Sequence, residues 1–226
     1  MGKLVCIGGG EVPRNKGGVI LPYETKEIDE EIVRLAGKEN PKFLFIGTAS
    51  MHSDEYYGVM KDIYTKLGCK TFNLDIIKND YDFETMKNIV FSTDIVYVGG
   101  GKTKFMLEKW KEKGLDIILK EAYGKDIVLS GLSAGSYCWF KYNYDLIEGL
   151  GLINAINCAH YDEKDEDAKR KFYNVIKEKG MPGIALDNCV ALAVVDGNYK
   201  IIKSDNTKNA YKIEFVDGKF VEEIMK

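Results

Sequence analysis

Three strand-length apolar runs with no polar alternation constrain the fold of this chain more than any other feature. Phe43–Ile46 reads Phe-Leu-Phe-Ile, Asp94–Val98 contains Ile-Val-Tyr-Val, and Asp126–Ser130 contains Ile-Val-Leu. A strand with one wet face alternates apolar and polar residues. One that does not alternate is covered on both faces, as in a parallel sheet between helices. Stretches with helical spacing lie among these runs at Ile28–Ala36, Tyr56–Leu67, Phe83–Val90 and Thr103–Lys113, with Gly68 and Gly114 placed to end two of them. With Leu4–Ile7 and Thr71–Ile76 as further strands, the alternation predicts βαβ units. The expected fold class is α/β, a three-layer sandwich with a mainly parallel central sheet. A helix is expected from about Ala134, and a charged one around Lys164–Lys179. The tail then gives short runs at Gly183–Leu186, Ala191–Val195, Tyr199–Lys203, Tyr211–Phe215 and Lys219–Ile224. Asp196-Gly197 and Asp217-Gly218 are hairpin signals, so C-terminal antiparallel hairpins should extend the same domain. The 226 residues hold no linker, repeat or low-complexity segment, and residues 1–226 read as a single domain.

Composition excludes several function classes. The net charge of −3 and the scattered lysines leave no polyanion footprint, so no nucleic-acid partner is expected. No apolar run approaches a membrane span, and the opening Met1–Gly8 is too short for a secretion signal. The five cysteines are odd in number and widely spaced, without a C-x-x-C pair. Free thiols in a cytoplasmic protein are the simplest reading, with no metal and no cofactor. The sequence leaves open whether the chain acts as a monomer or a homodimer.

Chemistry concentrates at Gly131-Leu132-Ser133-Ala134-Gly135. A buried strand runs into a G-x-S-x-G pentapeptide and a helical pattern follows, the context of a nucleophile elbow. The glycines allow the tight turn, Ser133 is the candidate nucleophile, and the Ala134 N–H is a candidate oxyanion donor. Two histidines are available as base: His52, after the second strand, and His160, after an apolar run. His160 follows the serine in chain order and is favoured. Gly99-Gly100-Gly101 ends the fourth strand. If that strand neighbours the fifth, Gly100 or Gly101 can supply a second oxyanion donor at the carboxyl end of the sheet. Gly8-Gly9-Gly10 lacks the spacing and the lysine of a nucleotide loop and is set aside.

Together Gly131–Ser136, Val98-Gly99-Gly100-Gly101-x-Thr103 and Cys158-x-His160-Tyr161-Asp162-Glu163 resemble the serine peptidases of the dipeptidase E (α-aspartyl dipeptidase) and cyanophycinase group. Gly8-Gly9-Gly10-Glu11, Ile28-Asp29 and Phe45-Ile46-x-Thr48-Ala49 are similar as well, so the resemblance spans nearly the whole chain. It implies a class I glutamine-amidotransferase-like sandwich with Ser133 as nucleophile and His160 as base. It also implies an oxyanion hole from Gly100, Gly101 and Ala134, and metal-free cleavage of short peptides beside an aspartyl residue. Two departures stand out. Lys102 follows the glycine turn where a small polar residue is usual, and the triad acid aligns with Asp187 or with Asn188, which carries no charge. Asp187 is the first choice for the acid, with Asp145, Glu148, Asp162 and Glu163 as alternatives. Among the arginines Arg14, Arg34 and Arg170, Arg170 is the candidate to hold a substrate carboxylate, against the plain reading of a solvated helix charge. The rivals to a peptidase are an amidase or glutaminase-like hydrolase and a binding protein without a working triad.

Overall fold

The computed structural model describes residues 2–226. In chain order it contains β1 (Lys3–Ile7), β2 (Asn15–Lys16), β3 (Val19–Ile20), α1 (Lys26–Ala36), β4 (Lys42–Ile46), α2 (Asp54–Lys66), β5 (Lys70–Asn73), α3 (Phe83–Phe91), β6 (Ile95–Val98), α4 (Thr103–Lys113) and α5 (Leu115–Ala122). There follow β7 (Val128–Leu132), α6 (Ala134–Tyr137), β8 (Phe140–Asn143), β9 (Ile153–Ala159), α7 (Glu166–Lys179), β10 (Gly183–Leu186), β11 (Val190–Val195), β12 (Asn198–Lys203), β13 (Ala210–Val216) and β14 (Lys219–Ile224).

The seven-stranded sheet has the order β12-β11-β1-β7-β6-β4-β5. From β1 to β5 every pairing is parallel, whereas β11 and β12 join antiparallel at the β1 edge. Alternate residues feed opposite cores, as side chains of a strand must. Val5, Phe43, Phe45, Tyr97 and Val128 face Ile28, Ile32, Met60 and Tyr64 of α1 and α2. Leu4, Leu44, Val96 and Leu129 face Met106, Trp110, Ile118 and Leu119 of α4 and α5. This two-sided burial is what the unalternating runs require, and the mainly parallel α/β sandwich stands as expected.

The tail departs from a simple extension. Asp196-Gly197 and Asp217-Gly218 do turn two hairpins, each with both residues at positive φ, as a type I′ turn demands. The strands, however, divide between two sheets. β11 and β12 join the first, and β10, β13 and β14 belong to a second five-stranded sheet of order β14-β13-β10-β9-β8. In it β8, β9 and β10 run parallel, and α7 covers one face with Phe172, Val175 and Ile176. The helix after Ser133 is a single turn, because Phe140–Asn143 is already a strand.

Asp29 is fully buried near the start of α1. It accepts hydrogen bonds from Thr25 (2.8 Å), Tyr23 (3.0 Å) and Tyr64 (2.8 Å). Burial pushes its carboxyl up to about 6, and the three hydroxyl donors only partly offset that. A carboxyl with a raised native pKa binds its proton more tightly folded than unfolded. Its contribution to stability is therefore present in acid and is lost as pH rises from about 4, the ordinary Asp value, through about 6. Denaturant titrations of wild type and Asp29→Asn should diverge accordingly. The stability of wild type relative to the variant should fall by about 2–3 kcal/mol between pH 4 and pH 7. A pH-independent difference would contradict this account of Asp29.

Candidate active site

The carboxyl ends of the parallel strands converge on one cleft. β1 ends at Ile7, paired with Leu132 of β7, and Val98 of β6 is paired with Gly131. The Gly8–Gly10, Gly99–Gly101 and Ser133 turns therefore lie side by side at the end of the sheet where α/β folds bind ligands. They border an open cavity of roughly 410 Å³ that Ser133, His160 and Asn188 also line.

Ser133 has φ 55° and ψ −108°, a strained conformation for a non-glycine residue. The flanking glycines explain how the chain passes through it. A Cβ at Gly131 would lie 2.4 Å from the Gly135 carbonyl oxygen, and one at Gly135 would lie 2.0 Å from that of Val98. The elbow thus forms only where strand and helical turn touch backbone to backbone. The Ser133 N–H is committed to the Ile7 carbonyl at 3.1 Å. The Ala134 and Gly101 N–H groups have no acceptor among the described residues, and Gly101 lines the cavity. The Gly100 N–H makes a long 3.4 Å contact to the Tyr56 hydroxyl. Ser133 Oγ has no hydrogen-bond partner among the described residues.

The second sheet supplies the imidazole. His160 directly follows β9, in the left-handed region at φ 51° and ψ 44°, and its N–H donates to the Gly8 carbonyl at 3.1 Å. Its Nδ1 lies 2.7 Å from Asn188 Oδ1. Asn188 Nδ2 donates to Glu163 Oε1 at 2.7 Å, and the Asn188 N–H donates to Asp162 Oδ1 at 2.9 Å. With the amide nitrogen committed to Glu163, its oxygen faces the ring. His160 Nδ1 is then the donor, and Nε2 keeps the lone pair a base requires.

This arrangement corrects the expected acid. Asp187 follows β10 directly, but its carboxylate accepts the Asn209 N–H at 2.8 Å and makes no hydrogen bond to His160. Burial pushes the Asp187 carboxyl up, which disfavours its charged form further. The ring is oriented by Asn188 instead, and the nearest negative charge is that of Glu163, 3.9 Å from Nδ1. Asp145 pairs with Lys171 and Glu148 with Lys141, and neither carboxylate makes a hydrogen bond or ion pair with His160.

The expected substrate arginine is corrected as well. Arg170 lies on α7, is two-thirds exposed and pairs with Asp167. Its helix turns Phe172, Val175 and Ile176 inward and leaves Arg170 to solvent. Arg14, by contrast, lines the cavity, held to Glu11 Oε2 at 2.7 Å. Glu24 stands on the same wall and accepts the Glu11 N–H at 2.8 Å. His52 is buried, contacts Asn73 at 3.0 Å and does not line the cavity. Lys102 does not line it either.

Comparison with known proteins fits this fold. A model of Peptidase family S51 matches residues 16–202, and the chain belongs to that family of peptidases. The uncharacterized peptidase YgaJ of Bacillus subtilis (strain 168) is 28% identical over 231 residues, spanning 98% of this chain and 96% of its own. The crystal structure of a peptidase from an acI-B1 Actinobacterium shares the fold with a TM-score of 0.75 at 18% identity, over 99% of this chain and 97% of the other. A putative peptidase E protein from Listeria monocytogenes EGD-e gives a TM-score of 0.67 at 17% identity, over 90% and 98% of the two chains.

Proposed function

We propose that this peptidase works by acyl transfer to Ser133. His160 Nε2 takes the hydroxyl proton as Oγ attacks the scissile carbonyl, then gives it to the leaving amine. Water repeats the cycle and releases the acyl product. The Ala134 N–H and the Gly100/Gly101 turn stabilise the oxyanion. The observation that carries this reading is the His160–Asn188–Glu163 chain, which fixes the imidazole tautomer in the cavity that Ser133 lines. A neutral asparagine in the orienting position is a working arrangement in cysteine proteases. The five cysteines, all buried and free, support a cytoplasmic location.

Short peptides with an aspartyl residue beside the scissile bond are the proposed substrates, with Arg14 receiving the acidic side chain. The carboxylates of Glu11 and Glu24 on the same wall suit the ammonium group of a free N-terminus. A dipeptide panel tests this. Asp-Xaa dipeptides should be turned over best, and Arg14→Ala should raise KM for them about 10- to 100-fold by removing a charge-assisted hydrogen bond. No turnover across the panel would reject the specificity and leave the hydrolase reading standing. Ammonia release from small amides, without amino-acid release from dipeptides, would favour an amidase.

A further inference from the structure

Neither the acylation chemistry nor acid recognition by Arg14 uses Tyr56, although it lines the cavity beside Ser133. Tyr56 lies in the first turn of α2, where its N–H donates to the capping Ser53 hydroxyl at 3.3 Å. Its ring stands edge-on to Phe45, with centroids 5.1 Å apart. It also rests on Gly99, where a Cβ would come within 2.9 Å of the ring. The ring is therefore held from two sides, and its hydroxyl position is set by packing.

That hydroxyl reaches the oxyanion turn. Its oxygen accepts the Gly100 N–H at 3.4 Å, and a Cβ at Gly100 would lie 3.5 Å from Ser133 Cβ. The contact is long for an N–H···O bond, so neither group is firmly committed. The Tyr56 proton finds no acceptor among the described residues. Burial pushes the phenol up to about 12, so the group is a donor at neutral pH.

We propose that Tyr56 is a catalytic residue whose O–H donates to the scissile carbonyl oxygen as Ser133 attacks it. The attack forms the Oγ–C bond and moves the carbonyl π pair onto oxygen. The phenol stabilises that charge without giving up its proton. When the C–N bond breaks, the pair returns to the carbonyl and the leaving amine takes its proton from His160. The proposal rests on Ser133 being the nucleophile.

The test compares rates of Ser133 phosphonylation by a fluorophosphonate, whose P=O oxygen occupies the place of the carbonyl oxygen. Tyr56→Phe keeps the ring packing and should slow labelling about 10- to 100-fold, with the thermal midpoint unchanged within about 2 °C. In a Ser133→Ala background, Tyr56→Phe should leave the affinity for the best dipeptide of the panel unchanged, because the bond strengthens only as charge develops. Labelling at the wild-type rate would overturn the role of Tyr56 alone. So would slower labelling matched by an equal loss of dipeptide affinity or of folded protein. A wild-type chain that is not labelled at Ser133 would overturn the nucleophile, and Tyr56 with it.

Discussion

Ser133→Ala yields a folded chain whose kcat for peptide hydrolysis falls by about 10⁴- to 10⁶-fold. Several observations set the size of this effect. The strain at Ser133 lies in its backbone, at φ 55° and ψ −108°, and alanine inherits it through the same two glycine contacts. Oγ has no hydrogen-bond partner among the described residues, so its removal strands no buried group. The Ala134 N–H and the Gly100/Gly101 turn are untouched, and the residual rate is what they supply without a nucleophile. Intact-mass analysis after treatment with a fluorophosphonate is the direct readout. Wild type should gain one phosphonyl adduct, mapped to Ser133, and the variant none. Equal labelling of the two proteins would mean that another residue carries the chemistry.

The parts of this site legible in the sequence are those whose roles are written in neighbouring residues. Ser133 sits between glycines after a buried run, and the Gly99–Gly101 turn closes another such run. Adjacent pairing of β6 and β7 brings the two turns together. His160 stands out as the candidate base by its order after the serine and by the residues around it. What the sequence hides is finer than an element. β10 ends at Leu186 and the chain turns at once, so no strand periodicity says which of the next two side chains faces the imidazole. Asp187 turns to the Asn209 N–H and Asn188 to His160. A preference for charge at that position selects Asp187, whereas the ring's hydrogen-bond partner is the neutral Asn188, itself held by Glu163. The place of Arg14 on the cavity is hidden for another reason. It lies in an irregular segment before β2, where no periodicity says which way a side chain points. β8 is only four residues long, and Asn154 and Asn157 interrupt the apolar run of β9, so neither reads plainly as a strand, and the second sheet that delivers the imidazole stays hidden with them.

Gly9→Ala should lower kcat by about 10²- to 10⁴-fold although Gly9 carries no chemistry itself. The Gly8–Gly10 turn, set aside as a nucleotide loop in the sequence, is the floor of the His160–Asn188 pair. The Gly8 carbonyl accepts the His160 N–H at 3.1 Å, and the Gly9 carbonyl accepts the Cys189 N–H at 2.9 Å. Both partner segments are thereby pinned against it. A Cβ on Gly9 would lie 2.0 Å from Asn188 Oδ1 and 2.3 Å from His160 Nδ1. Neither side chain can swing away freely, since Asn188 is anchored through its N–H to Asp162 and through Nδ2 to Glu163. Relief requires a shift on the order of 1 Å, which breaks the His160–Asn188 bond and releases the tautomer that leaves the Nε2 lone pair free. Overpacking of this kind costs about 1–3 kcal/mol of stability, a loss that leaves most of the chain folded. Gly58→Ala is the matched control. It lies within α2, a Cβ there meets nothing within 4 Å, and alanine should be neutral or stabilise by up to about 1 kcal/mol. The two variants should therefore part in labelling rate far more than in thermal midpoint. A Gly9→Ala protein that is phosphonylated at the wild-type rate would show that the His160–Asn188 contact does not orient the base.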